Sequence, residues 1–208
     1  MTPDEAQPVL DDAEASLEAG DAARAALLFR AILHTEGPSS HQMAQAEAGL
    51  GESSLLEGRP LEAAERFLRA AHLDPGEKAW LDYRLGESWM KAGEWEKALA
   101  AYSAALEAWD PGDGWGRAEL TGRRGLARFR SGDKTGEAEI CEALTLSPLH
   151  APLHADLGDC LLARRDFPGA EAAYARAAEL EPGNRDYPAA RERARAIAVK
   201  LAKGPPPA

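Results

Sequence analysis

The chain has 208 residues, of which 45% are hydrophobic, enough to form an adequate core as one compact domain or as one continuous array. Its formal net charge of -11, from 35 acidic and 24 basic residues, opposes attraction to phosphate backbones and anionic membrane surfaces, so we expect no nucleic-acid partner. The first residues are acidic, unlike a signal peptide, and no run approaches 18 apolar residues. The sequence therefore predicts a cytoplasmic protein with no membrane insertion.

Helix-forming residues dominate the chain, whereas strand formers are scarce, and valine occurs only at Val9 and Val199. The chain is therefore predicted to be all-helical. Prolines recur at steps of 34 to 37 residues, and each is expected to end a helical stretch because proline cannot continue the backbone hydrogen-bond ladder. These prolines are Pro38, Pro75, Pro111, Pro148 and Pro182.

Glycines fall at two kinds of position between these prolines. One set marks tight turns, so that each unit is a helix, a turn and a second helix; it comprises Gly20, Gly58, Gly93 and Gly132. A second set lies inside the first helix of every unit but the first, which has Ala13 instead, and there glycine costs roughly 1 kcal/mol relative to alanine. We expect close packing to explain this set, with the glycine facing an alanine of the second helix and an aromatic residue filling the seam. The glycines are Gly51, Gly86, Gly125 and Gly158, the alanines Ala63, Ala98 and Ala170, and the aromatic residues Phe29, Phe67, Tyr102 and Tyr174.

This recurring set of small residues, aromatic residues and prolines resembles the tetratricopeptide repeat family, whose unit is about 34 residues long. Residues 51–75 and 158–182 follow the pattern without insertion. The fourth unit departs most from it, because Gly136 replaces the alanine and Ile140 replaces the aromatic residue. The resemblance covers residues 6–184 and implies an α-solenoid, a right-handed superhelix of about five helical hairpins.

A single array is predicted over residues 1–203. An amphipathic helix over residues 185–203 is expected to cap it, because the last unit would otherwise expose an apolar face. The proline-rich residues 204–208 are predicted to form a flexible tail. The five units are expected at residues 6–39, 44–77, 79–112, 117–150 and 151–184.

Catalytic signatures are missing from the sequence: it has no Gly-rich phosphate loop, no nucleophile elbow and no recurring acidic pair. His150 and His154 have a spacing that two metal ligands could share, but Pro152 lies between them, so we interpret both as surface or packing residues. Cys141 and Cys160 lie far apart, which suggests neither a disulfide framework nor a zinc site. We therefore expect no enzyme activity, no cofactor and no metal.

The third unit contains the candidate peptide-binding surface. In tetratricopeptide repeats the first helix of each unit lines a concave groove, and the resemblance implies that one face of this helix is such a lining. Exposed aromatic residues beside an arginine are typical of an energetic binding centre. The alternative is that Trp80 and Tyr83 cover the core beneath the turn at Leu73-Asp74-Pro75. The implied residues are Trp80, Tyr83, Arg84, Glu87, Met90 and Lys91.

The fourth unit contains the one concentration of positive charge, five arginines on one predicted helix. Helical spacing places Arg123 and Arg130 on one stripe, which the resemblance orients toward the groove. A second stripe holds Arg117, Arg124 and Arg128. Either these arginines form a basic groove that attracts an acidic partner, or they are simply solvated or are neutralised by acids on neighbouring helices.

The predicted function is a protein–protein interaction scaffold or adaptor that binds a peptide or protein segment in its concave groove. The cations expected to select an acidic segment are Arg84, Lys91, Arg123 and Arg130. Two other interpretations stay open: self-assembly into a homo-oligomer with a structural role, and an accessory subunit of an enzyme complex.

Overall fold

The computed structural model describes residues 2–202, which fold into eleven α-helices joined by short connections. No strand occurs among these residues, so the predicted all-α fold is confirmed. The tail at residues 204–208 and the last residue of the predicted capping helix lie outside the described residues. The helices are α1 (Pro3–Glu18), α2 (Ala22–Leu33), α3 (Ser40–Leu56), α4 (Pro60–Leu73), α5 (Lys78–Ala92), α6 (Trp95–Ala108), α7 (Gly114–Arg130), α8 (Gly136–Leu146), α9 (Ala151–Ala163), α10 (Phe167–Leu180) and α11 (Asp186–Ala202), and a short 3-10 helix, Pro75–Glu77, precedes α5.

The chain divides into two compact units between Trp109 and Asp110. In the first unit α1–α6 pack in chain order, and α1 also contacts α3. In the second unit α7–α11 pack in chain order, and α7 also contacts α9. Each unit is therefore a stack of helical hairpins, the α-solenoid arrangement that the sequence predicts. The helix α11 packs on α10, where a capping helix is expected, and the continuous array over residues 1–203 with its five unit boundaries stays a prediction.

Short polar side chains start several of the helices by accepting hydrogen bonds from backbone N–H groups that have no partner inside the helix. Ser39 and Gln42 form a reciprocal capping box at the start of α3. An aspartate oxygen plays the same part at three other helices, where it accepts from an N–H group three residues later. These are Asp21 at α2, Asp113 at α7 and Asp166 at α10.

The turns between paired helices use the left-handed backbone conformation that the glycine pattern predicts. Gly93 ends α5 with φ 78°, and its N–H donates to the carbonyl of Met90 at 3.1 Å. The turn of the fifth hairpin, between α9 and α10, contains no such glycine. Arg165 adopts the left-handed conformation there, with φ 66°. The other glycine turns are at Gly20, Gly58 and Gly132, as predicted.

A buried aromatic ring lies directly on the helical glycine in three of the hairpins. Tyr102 is completely buried, and a Cβ atom added to Gly86 would lie 2.6 Å from its ring. The nearest side-chain atoms to the glycine are thus those of the aromatic ring, and not those of the alanine expected there. The other two pairs are Gly51 with Phe67, at 2.8 Å, and Gly158 with Tyr174, at 2.7 Å.

The fourth hairpin brings the two helices together backbone to backbone. A Cβ atom added to Gly125 would lie 2.6 Å from the carbonyl oxygen of Gly136, and one added to Gly136 would lie 2.1 Å from the carbonyl oxygen of Gly125. Ile140, which is completely buried, takes the place of the ring. The departure from the repeat pattern is therefore compensated by a closer approach of α7 and α8.

We expect Gly86→Ala to lower the free energy of unfolding by up to about 2 kcal/mol. The added methyl group overpacks the ring of Tyr102, which costs about 1–3 kcal/mol, and replacing a glycine inside a helix returns about 1 kcal/mol. Urea denaturation followed by circular dichroism measures the difference. Gly114→Ala is the matched control in α7, since an added Cβ there meets no atom within 4 Å, and it should leave stability unchanged or raised. Equal effects of the two substitutions would contradict the packing explanation.

Candidate functional site

The first unit contains a surface cavity of about 530 Å³, lined mainly by α1, α3 and α5, the first helices of its three hairpins. Small residues make the room for it. Ala44 and Ala48 lie one turn apart on α3, and both are buried in the cavity wall with no side chain beyond Cβ. Leu17 of α1, Phe29 of α2 and Leu81 of α5 add larger apolar side chains to the lining. The cavity is thus a concave, partly apolar recess of the size typical of ligand sites.

Trp80 forms one wall of this cavity and remains 39% exposed. Its ring meets the buried ring of Phe67 edge to face, with 6.3 Å between centroids and 88° between planes. The guanidinium of Arg84 lies over the same Phe67 ring, 5.9 Å from its centroid. Trp80 therefore covers part of the core and also presents a face to the cavity, which combines the two interpretations of this residue.

Carboxylates dominate the polar part of the lining. Asp74 accepts a hydrogen bond from Nδ1 of His41 at 2.6 Å, and this bond, with one from a backbone N–H, lowers the pKa of the Asp74 carboxyl. Glu52 accepts a bidentate pair of hydrogen bonds from Arg84. Glu14 and Glu77 have no hydrogen-bond or ion-pair partner among residues 2–202. Two of the four carboxylates of the cavity are thus uncompensated.

The predicted groove residues of the third hairpin do not all face this cavity. Trp80 lines it, whereas Tyr83 packs against Tyr102 and Trp109, with centroid separations of 6.2 and 6.4 Å. Tyr83 therefore covers the core beside α6.

Arg84 forms ion pairs with Glu52 and Glu87 and keeps only 19% of its side chain exposed. Burial alone would lower the pKa of Arg84, but the hydrogen bond and charge of Glu52, with the charge of Glu87, raise it overall. Met90 is half-buried and Lys91 is exposed at the end of α5. None of the residues Arg84, Glu87, Met90 and Lys91 lines the cavity.

Sequence reasoning missed the part of the cavity that the second hairpin supplies. Gln45 and Glu52 both line it. Each lies 35 residues before a predicted residue of the third hairpin, Trp80 and Glu87 respectively, which is also the step from Gly51 to Gly86. Applying the same repeat positions to the second hairpin would have found them. No sequence signal marks Glu14 or Glu77.

Four arginines of α7, namely Arg123, Arg124, Arg128 and Arg130, form ion pairs within the second unit. Arg123 donates to Asp156 at 3.1 Å, and Arg130 donates to Asp159 at 2.8 Å, so the first stripe pairs with α9. The second stripe pairs mainly with α8, where Glu139 accepts from Arg124 at 2.8 Å and lies 2.7 Å from Arg128. Of the two interpretations of the stripes, the structure therefore displays internal neutralisation.

We expect Arg123→Ala to lower the free energy of unfolding of the second unit by about 1–3 kcal/mol, because it leaves the 7%-exposed Asp156 without this partner. Arg24→Ala is the matched control, since the Arg24–Asp12 pair has a similar separation of 2.9 Å but lies at the surface. Its loss should cost less than about 1 kcal/mol. Urea denaturation of both variants measures the difference, and equal losses would show that the Arg123 pair contributes no more than a surface pair.

The histidines and cysteines singled out in the sequence are not assembled into one site. His150 is buried and stacks on Trp115 with 4.5 Å between ring centroids, whereas His154 hydrogen-bonds a backbone carbonyl. Cys141 is exposed and Cys160 is buried, and neither forms a disulfide. Within residues 2–202, no group of three or more potential ligand side chains is placed to hold a metal ion. Nor does any helix described there have the length and apolar character needed to span a membrane.

Comparison with protein families and curated sequences gave one match. A family model described as tetratricopeptide repeat matches residues 83–151 and 142–185. No curated protein sequence is significantly similar to the chain.

Several solved structures share the fold. TTC0263, a tetratricopeptide repeat protein of Thermus thermophilus, is 22% identical with a TM-score of 0.70 over 91% of this chain and 98% of that one. MamA from Desulfovibrio magneticus is 21% identical, with a TM-score of 0.66 over 89% and 99% of the two chains. YrrB, described as a tetratricopeptide repeat protein with an unusual peptide-binding site, is 20% identical, with a TM-score of 0.60 over 89% and 91%. At these identities the likeness establishes a common fold.

Proposed function

Because this chain belongs to the tetratricopeptide repeat family, whose fold is that of an interaction scaffold, we propose that it binds a peptide or protein segment in the cavity of its first unit. The observation that carries the proposal is the partly exposed Trp80 in the wall of a 530 Å³ recess. A tryptophan anchored by Phe67 offers a large contact area at little further cost in side-chain entropy, as binding hot spots do.

The role is that of a non-catalytic adaptor. The polar groups of the cavity would orient and select the segment, and the apolar wall would supply the area that it buries. The peptide-binding site attributed to YrrB, which has the same fold, supports a peptide as the kind of ligand. An accessory subunit of an enzyme complex would be one form of this adaptor, with the enzyme as its partner.

The binding surface that we propose differs from the one expected for an acidic partner. That expectation depended on Arg84, Lys91, Arg123 and Arg130. Three of these cations are ion-paired inside the protein, to Glu52, Asp156 and Asp159. An acidic segment would have to compete with those pairs, so we place the site at the cavity beside Trp80.

Site-specific photocrosslinking tests the proposal. A photoreactive amino acid at His41, an exposed residue of the cavity lining, should crosslink a partner in the producing cells. The same group at Leu68, 49% exposed on α4 outside the cavity lining, should not. Trp80→Ala in the His41 background should reduce the crosslinked product at least tenfold, because loss of a hot-spot tryptophan costs about 2 kcal/mol or more of binding.

Trp115→Ala is the matched control for this substitution, since Trp115 is 60% exposed but belongs to the second unit. Circular dichroism and thermal melting establish that both variants fold. Crosslinks from Leu68 alone, or equal crosslinking with Trp80→Ala and Trp115→Ala, would refute the proposed site.

Self-assembly is the second candidate, and exposed leucines on the second helices of the first unit favour it. Leu27 of α2 is 67% exposed, and Leu61 of α4 is 56% exposed. Sedimentation velocity over a hundredfold range of concentration distinguishes the candidates. The adaptor should sediment as a monomer throughout, whereas self-assembly through these leucines predicts a larger species that Leu61→Ser shifts toward the monomer.

A further inference from the structure

The net negative charge of the protein comes entirely from one of its two units. Residues 1–109 contain 20 of the 35 acidic residues and 9 of the 24 basic ones, which accounts for the whole net charge of -11. Residues 110–208 contain 15 of each kind and are neutral overall. The unit that contains the cavity is therefore the one that attracts positive charge.

The charges that line the cavity have the same sign. Its charged lining consists of four carboxylates and the titratable His41, and no lysine or arginine lines it in the described part of the chain. The cations nearest in sequence already have partners: Lys78 pairs with Asp82 outside the lining, and Arg84 pairs with Glu52, one of the four lining carboxylates. Glu14 and Glu77 are left exposed and uncompensated in the lining.

Two further features of the lining favour a ligand with hydrogen-bond donors and a positive charge. The side-chain oxygen Oε1 of Gln45, a residue of the cavity lining, is buried and has no hydrogen-bond partner among residues 2–202. A rotation of this amide that brings Oε1 to the cavity surface would let it accept a bond from a ligand N–H group without breaking an existing one. The exposed face of Trp80 is the best aromatic surface for a cation, and a guanidinium can stack on it.

From these observations we infer that the cavity of the first unit binds a cationic segment, an extended peptide that places an arginine or lysine side chain against Trp80 between Glu14 and Glu77. The inference rests on the proposed function and assigns a chemistry to its ligand. Carboxylates on both sides neutralise the cation, the indole face covers it, and the apolar wall formed by Ala44 and Ala48 takes up its aliphatic stem. An acidic segment would meet the two uncompensated carboxylates, Glu14 and Glu77, here.

Three fluorescein-labelled peptides of nine residues test the inference on the full chain. They share one leucine- and alanine-containing host sequence and carry three arginines, three glutamates or three glutamines. Nine extended residues reach about 30 Å, the width of three neighbouring helices. Fluorescence anisotropy at 150 mM salt should show the arginine peptide binding at least tenfold more tightly than the glutamate peptide, with the glutamine peptide between them.

Charge-neutralising variants locate the effect. Glu14→Gln combined with Glu77→Gln should weaken binding of the arginine peptide about threefold to tenfold, as expected for two partly exposed ion pairs. Glu96→Gln combined with Glu107→Gln is the matched control, because it removes the same charge from exposed residues of α6 that do not line the cavity. Screening confines its effect to less than about twofold at this salt concentration. Trp80→Ala should also weaken binding of the arginine peptide.

The outcomes separate this inference from the proposed function. If the glutamate peptide binds most tightly and Trp80→Ala abolishes that binding, the inference of a cationic ligand is overturned, and the cavity still stands as the binding site. Equal weakening by the two double variants would show that the net charge alone attracts the arginine peptide, and would overturn the inference. The inference would also be overturned if the arginine peptide did not bind at a concentration of 1 mM. The crosslinking experiment at His41 would then test the proposed function independently of the ligand's charge.

Discussion

The contact between a helical glycine and a buried aromatic ring is the constraint on which the hairpins depend. Helices of about 14 residues are marginal in water by themselves, so each must be stabilised by its partner. The ring of Tyr102 lies on the backbone of Gly86 and thereby sets the distance between α5 and α6. Because Trp80 lies six residues earlier on the same helix, it points about 120° away from the glycine face. Packing of the hairpin thus leaves the opposite part of the first helix available for a cavity.

The two units use their charges in different ways. In the second unit, arginines of α7 meet acids of α8 and α9, so that charge mainly joins helices to one another. In the first unit, acids outnumber bases by more than two to one, and Glu14 and Glu77 are left over at a recess. Ion pairs such as Arg66–Glu47 and Arg84–Glu52 join helices in the first unit too, but there some acids at the recess are left without a basic partner among the described residues. This difference is the main reason to look for the ligand at the first unit.

The repeat pattern predicted the scaffold well because its signals are local. A backbone position with φ near 80° favours glycine whatever surrounds it, so the turn at Gly93 could be recognised from the sequence. The fifth turn, where Arg165 takes that conformation, could not. The candidate site was predicted only in part: Trp80 lines the cavity, whereas Tyr83, from the same predicted face, packs on Tyr102. Small shifts of a helix about its axis decide such a difference.

The sequence by itself determined that this protein is a stack of helical hairpins, since spacing, turn residues and helix propensity are properties of short segments. Only the tertiary structure decided which charges are compensated. Arg123 meets Asp156, 33 residues away, because α7 and α9 are neighbours in space. Glu77 has no such neighbour among the described residues. An ion pair depends on the distance between side chains from different helices, and that distance is set by packing that no local pattern encodes.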